Sequence, residues 1–186
     1  MALPLTRRRF TIREFEQMVQ AGIFTEDDRL ELIAGEIVEM TPIGRRHAAC
    51  VKRLNHLFWH MVGDRAQISV QDPLELDEEN QPQPDLMLLV PRADFYAAGH
   101  PRPADVLLLV EVAESSREVD RTVKLPLYAR YAIPEVWLVD LDGSTLTVAR
   151  EPSAAGYRLL RPLGRGDHLA PLAFPDRSLA VADILG

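Results

Sequence analysis

Cysteine is nearly absent: the 186 residues include one, Cys50. A lone thiol excludes an intrachain disulfide framework and a cysteine-rich metal knot, and it fits a reducing cytosol. Long apolar runs are missing as well. The strongest, such as residues 106–110, are far too short to span a bilayer, so no membrane partner is expected. The first ten residues, MALPLTRRRF, carry arginines with no apolar stretch behind them. No secretory signal is therefore expected, and the expected location is cytoplasmic. Basic charge is scarce: 21 lysines and arginines face 28 acidic residues, for a net charge of −7. A protein that coats nucleic acid usually carries a basic excess. Any contact with DNA must then be local, through clusters such as Arg7-Arg8-Arg9 or Arg45-Arg46, which otherwise read as solvated surface. Metal-ligating carboxylates would also hide a modest basic patch in the total. Internal repeats, low-complexity segments and long linkers are absent.

What is present reads as an ordinary globular chain, with 47% hydrophobic and 26% charged residues. The length predicts a single domain over 1–186 with one substantial core. Thr11 and Glu14 form a capping-box pattern before FEQMVQAG, a short helix ending near Gly22. LELIAGEIVEM, residues 30–40, alternates about Ala34-Gly35 and reads as a β-hairpin. A helix over about 47–62 follows. RAQISVQDPLELD, PDLMLLV and DVLLLVEVAE read as three strands. Residues 115 to about 132 read as a helix interrupted by Pro126. EVWLVDLDGSTLTVARE reads as two strands joined at Asp142-Gly143, and the tail as short strands and a last turn. This order predicts an α/β or α+β fold around one mixed sheet. The runs at 86–90 and 106–112 do not alternate, so they should be central strands covered on both faces.

Two carboxylates break those apolar runs. Glu111 lies inside LLLVEVAE, and Asp85 opens the neighbouring run. A carboxylate in a buried strand is costly unless it is paired, protonated or bound to a cation. If the two strands pair, the carboxylates converge. Hard oxygen ligands on rigid elements, with water completing the shell, suit Mg²⁺. Structural carboxylates held by backbone N–H groups or an arginine fit the spacing equally well. On the next helix, a count of about 100° per residue puts Asp120, Val123, Lys124, Leu127 and Tyr131 on one stripe facing the sheet. Lys124 then points at the carboxylates, either as their counter-ion or as a group that holds a phosphate and orients water.

The helix over 47–62 places His47, Val51, Leu54, Phe58 and Met61 on its inward stripe, with Lys52, His56 and His60 on the opposite face. His56 and His60 have the i, i+4 spacing of zinc helices but lack a third ligand. His47, in the first turn, is either a site group or a histidine bonded to nearby backbone. In the hairpin, Glu31, Glu36 and Glu39 mostly read as the wet face. Glu31, flanked by Leu30 and Leu32, is the one best placed to reach the site.

Taken together, RLELIAGEIVEMTP, His47, Pro84-Asp85, LLVEVAESS, Asp120-x-x-x-Lys124, Tyr128 and IPEVWLVD resemble the Uma-type family of endonucleases, part of the restriction-endonuclease-like PD-(D/E)xK superfamily. The resemblance runs from about Thr11 to Leu185. It implies a restriction-endonuclease-like mixed sheet flanked by helices, with an N-terminal helix and hairpin extension. It also implies a Mg²⁺- or Mn²⁺-dependent deoxyribonuclease. Asp85 matches the aspartate of the PD element and Glu111 the second acidic residue. The lysine usual two places later is replaced by Ala113, and Lys124 of the following helix takes its part. Asp85 and Glu111 are then the implied metal ligands, with the carbonyl of Val112 a third. Lys124 is the charge-stabilising group, His47 and Glu31 are auxiliary catalytic groups, and Asp120 fixes Lys124. The chain departs from the pattern at Pro126 and Tyr131. DNA is the implied substrate, and a symmetric homodimer or higher homo-oligomer suits paired cuts on a duplex. The competing reading, favoured by the acidic net charge, is a catalytically silent nuclease-fold binding or assembly module.

Overall fold

A computed structural model describes residues 7–25, 28–114 and 119–186. The chain opens with α1 (Ile12–Gln20), and the capping box forms as its sequence predicts. The Glu14 amide donates to Thr11 Oγ1 at 3.3 Å, and the Thr11 amide donates to Glu14 Oε2 at 3.0 Å. A separate hairpin follows, β1 (Leu30–Ile33) and β2 (Glu36–Glu39), with Ile33 opposite Glu36. Its turn has left-handed backbone at Ala34 (φ 51) and Gly35 (φ 71). A Cβ on Gly35 would lie 2.6 Å from the Cβ of Arg9, so glycine is required there on both counts.

The main sheet has six strands in the order β3 (Gln67–Ser69), β4 (Leu86–Leu89), β5 (Val106–Ala113), β6 (Glu135–Asp140), β7 (Thr145–Ser153) and β8 (Gly156–Leu163). Only the β5–β6 pair is parallel, so the sheet is mixed. The expected strand over 65–77 is much shorter than its sequence suggests. Left-handed backbone at Gln71 (φ 56), and Pro73, which has no N–H, turn the chain out of the ladder after Ser69. The chain ends in β9 (His168–Leu169), β10 (Leu179–Ala180) and α4 (Val181–Leu185), with α3 (Leu125–Arg130) between β5 and β6.

The central strands are buried on both sides, which explains why their sequences do not alternate. Leu86, Leu88, Leu108, Val110 and Val112 pack with Val51, Leu54 and Phe58 of α2 (Arg45–Val62) and with Val181 and Ile184. Met87, Leu89 and Leu109 face the other way, toward Leu125, Leu127 and Tyr128 of α3. On α2 the predicted inward stripe is buried, apart from half-buried His47 at its start, and Lys52, His56 and His60 are exposed.

The helix before α3 departs from the expected geometry. The start of that expected helix, 115–118, lies outside the described residues. Residues Asp120–Lys124 form a π-helical turn in which the Leu125 amide reaches back five residues to the Asp120 carbonyl. Pro126 then falls in the first turn of α3, where a missing N–H costs no helical bond. The wide turn thus absorbs the proline without breaking the helix. It also upsets the 100° count. Asp120, Lys124 and Leu127 are buried as the stripe predicts, but Val123 is 44% exposed.

A fully buried carboxylate locks the far side of the sheet. Glu135 Oε1 accepts from Arg150 Nη2 at 2.6 Å, Arg150 Nε at 2.9 Å and Trp137 Nε1 at 2.9 Å, while Oε2 accepts from the Leu172 amide at 2.5 Å. Removing one side of such a pair strands the other charge. Glu135→Ala is expected to lower the unfolding free energy by about 3–5 kcal/mol. An unchanged urea midpoint in that variant would show that Arg150 finds water instead.

Candidate active site

The antiparallel register of β4 and β5 sets Leu86 opposite Val110. One residue further along, Asp85 is level with Glu111. Alternation puts Glu111 on the same face as Leu109, the face covered by Leu125 and Tyr128. The π turn carries Asp120 and Lys124 over that face. From outside the main sheet, the β1–β2 hairpin delivers Glu31, and the first turn of α2 delivers His47. Asp85, Glu111, Lys124, His47 and Glu31 therefore line one cleft of about 140 Å³, together with Asp120, Arg29, Gln83, Val112 and Glu114. Its floor begins at Gly44, where a Cβ would collide with the carboxylate of Glu114.

Polar contacts fix each group. Asp85 Oδ2 accepts from the Val112 amide at 2.8 Å and meets His47 Nε2 at 3.0 Å. Its Oδ1 accepts from Gln71 Nε2 at 3.2 Å. Lys124 Nζ donates to Glu31 Oε1 at 2.8 Å and lies 3.3 Å from Glu111 Oε1. The amide of Gln83 donates to the same oxygen of Glu31 at 2.7 Å. Tyr128 Oη donates to Glu111 Oε1 at 2.6 Å. Asp85, Glu111, Asp120, Lys124 and Glu31 are all buried, and His47 is half-buried. Glu31 is thus not part of the hairpin's wet face, unlike Glu36 and Glu39.

The electrostatics follow from crowding. Burial raises the Glu111 carboxyl to about 8. Lys124 opposes that rise, while Asp120, Asp85 and Glu31 add to it. Burial alone would lower the pKa of Lys124, but Glu111 and Glu31 outweigh it and keep the amine charged. Burial would likewise lower His47, yet the hydrogen bond and charge of Asp85 raise it. The Nδ1 of His47 is buried without a hydrogen-bond partner among the described residues.

Sequence reasoning assigned no role to Gln71, Gln83 or Tyr128. Gln71 and Gln83 reach the site through irregular backbone, which leaves no periodic signal. Tyr128 did leave one, since it follows Lys124 by four residues. Among the described residues, no group of three or more His, Cys, Asp or Glu side chains is arranged to hold a metal ion. The exposed pair His56 and His60 stack edge to face at 4.6 Å with no third ligand beside them.

The mixed sheet flanked by helices is a restriction-endonuclease-like fold. The crystal structure of "a putative nuclease belonging to DUF820" from Anabaena variabilis ATCC 29413, at 1.96 Å resolution, matches it with a TM-score of 0.72. That match covers 95% of this chain and 97% of the other at 17% identity, a likeness of fold. The family profile described as "Uma2: Putative restriction endonuclease" matches residues 12–182, and the chain belongs to that family. Among curated proteins none matches the chain.

The raised Glu111 pKa has a measurable consequence. Its folded value lies above the usual 4.5, so its contribution to stability is fully present below pH 4.5 and is lost as pH rises to about 8. In metal-free protein, thermal stability should decline across that window, and Glu111→Gln should flatten the decline. A pH profile identical in the two proteins would contradict a buried, titrating Glu111.

Proposed function

We propose that the chain is a divalent-metal-dependent endonuclease that hydrolyses DNA phosphodiester bonds. The observation that carries this reading is the meeting of Asp85, Glu111 and Lys124 in one cleft, in a member of a restriction-endonuclease family. The donor set fits Mg²⁺ or Mn²⁺. Even with the Glu111 carboxyl raised to about 8 and protonated at neutral pH, Glu31, Asp85 and Asp120 face one buried lysine and a half-buried histidine, so negative charge is in excess and a divalent cation would balance it. Asp85 and Glu111 would hold the ion, with the carbonyl of Val112 as a third oxygen ligand, and water would complete the shell. The bound ion would polarise the scissile phosphate and lower the pKa of a coordinated water.

The chain's own groups complete the work. Lys124, held charged, stabilises the phosphoryl oxygens as negative charge builds on them. Glu31 fixes the Lys124 amine, and the Gln83 amide fixes Glu31. His47, Gln71 and the Val112 amide hold the Asp85 carboxylate. A half-buried His47 beside the cleft can also receive a proton there. Assembly as a symmetric dimer, and action in the cytoplasm, belong to the same proposal. The net charge of −7 favours the silent binding module instead.

Supercoiled plasmid separates the two. Wild-type protein should nick it with Mg²⁺ or Mn²⁺, and a chelator should stop the reaction. Asp85→Asn should abolish cutting, and Lys124→Ala should slow it by about 100-fold or more. Purified protein that neither cuts nor binds metal would leave the module reading standing. Cutting by Asp85→Asn at the wild-type rate would overturn this assignment of the site.

A further inference from the structure

We propose that Tyr128 is a positioning residue for the metal-binding carboxylate of Glu111, an inference that rests on the nuclease reading above. Tyr128 is fully buried on α3, and its hydroxyl donates to Glu111 Oε1 at 2.6 Å. Lys124 Nζ approaches the same oxygen at 3.3 Å. Both contacts thus fall on Oε1 of a carboxylate that lines the cleft. A carboxylate held by one oxygen presents the other in a fixed direction. Ligands oriented in this way bind metal more tightly, because the ion need not organise them. The spacing supports the role. Asp120, Lys124 and Tyr128 recur at intervals of four along the turn that crosses the strand, and all three are buried. Tyr128 also packs within the core beside Leu125, Leu127 and Leu109, which gives the ring a fixed seat. A tyrosine that served only to fill this space would not need its hydroxyl on the carboxylate.

Tyr128→Phe removes the hydroxyl and keeps the ring. The test is Mn²⁺ binding by calorimetry to wild type, Tyr128→Phe, Glu111→Gln and the double variant. Leu127→Ala serves as a packing control, with thermal melts of each protein. Tyr128→Phe should weaken Mn²⁺ binding about tenfold. Leu127→Ala should lower the melting temperature and leave Mn²⁺ affinity unchanged. In the Glu111→Gln background, loss of the hydroxyl should cause no further weakening, because the group it orients is gone. Wild-type Mn²⁺ affinity in Tyr128→Phe would overturn the inference, as would equal weakening in both backgrounds. Failure of Tyr128→Phe to fold would also overturn it, since the hydroxyl would then serve the fold. A wild-type protein that binds no Mn²⁺ is a separate outcome, and it would overturn the metal-site reading along with this one.

Discussion

The structure turns on an unbalanced charge in a dry place. Glu111 is set in the middle of a sheet, among Leu109, Val110 and Val112, where a bare carboxylate is costly. Everything near it manages that cost. Lys124 supplies positive charge, Tyr128 supplies a hydroxyl, and burial raises the carboxyl's own pKa toward the protonated form. Yet the neighbours that stabilise Lys124 are themselves carboxylates. Adding Glu31 and Asp120 secures the lysine and deepens the negative excess. Such an arrangement is wasteful for a core that only needs to be stable, since hydrophobic replacements usually serve as well or better. It suits the cation site proposed above.

The helical turn that delivers Lys124 shows how a local irregularity can serve that site. A lysine two places after Glu111 would sit on the same strand and the same face. Ala113 stands there instead, and the amine comes from a separate element. The π turn widens the helix by one residue where it crosses β5, and Pro126 can follow because its missing N–H falls in the first turn of α3. Interruptions of this kind are frequent at functional sites. Here Asp120 and Lys124 stay inward, where an α-helical count also puts them, while Val123 turns out to solvent.

Much of this was legible in the sequence, and the reasons are specific. The strands around Asp85 and Glu111 announced themselves because central strands are apolar throughout. The hairpin was readable because Ala34-Gly35 meets the backbone demand of a tight turn. The inward stripe of α2 followed from periodicity, as did the burial of Asp120 and Lys124. What escaped lay where periodicity ends. Glu31 stood out from the three hairpin glutamates as the one best placed to reach the site, yet nothing local says that a separate hairpin presses it against Lys124. Gln71 reaches Asp85 from left-handed backbone that no pattern marks. Val123 was placed inward because the count assumed an α-helix. The network of Glu135, Trp137 and Arg150 was hidden because a buried carboxylate in EVW looks like any strand-edge glutamate until its partner is known.

The burial pattern also bears on the strongest objection to a nucleic-acid substrate, the net charge of −7. Among the described residues, six carboxylates are buried, namely Glu31, Asp85, Glu111, Asp120, Glu135 and Asp140, against one buried lysine. Most of the formal excess is therefore inside the protein. Lys124, Arg150, Tyr128 and His47 already engage part of it, while Glu31, Asp85, Glu111 and Asp120 line the cleft itself. Arg29 lines the cleft, and Arg45 and Arg46 open α2 between Gly44 and His47, which line it too, although Arg46 pairs with Asp142. An acidic pocket with an arginine on its lining is compatible with the proposed metal site: the carboxylates offer negative charge to a cation, and Arg29 offers positive charge to a strand.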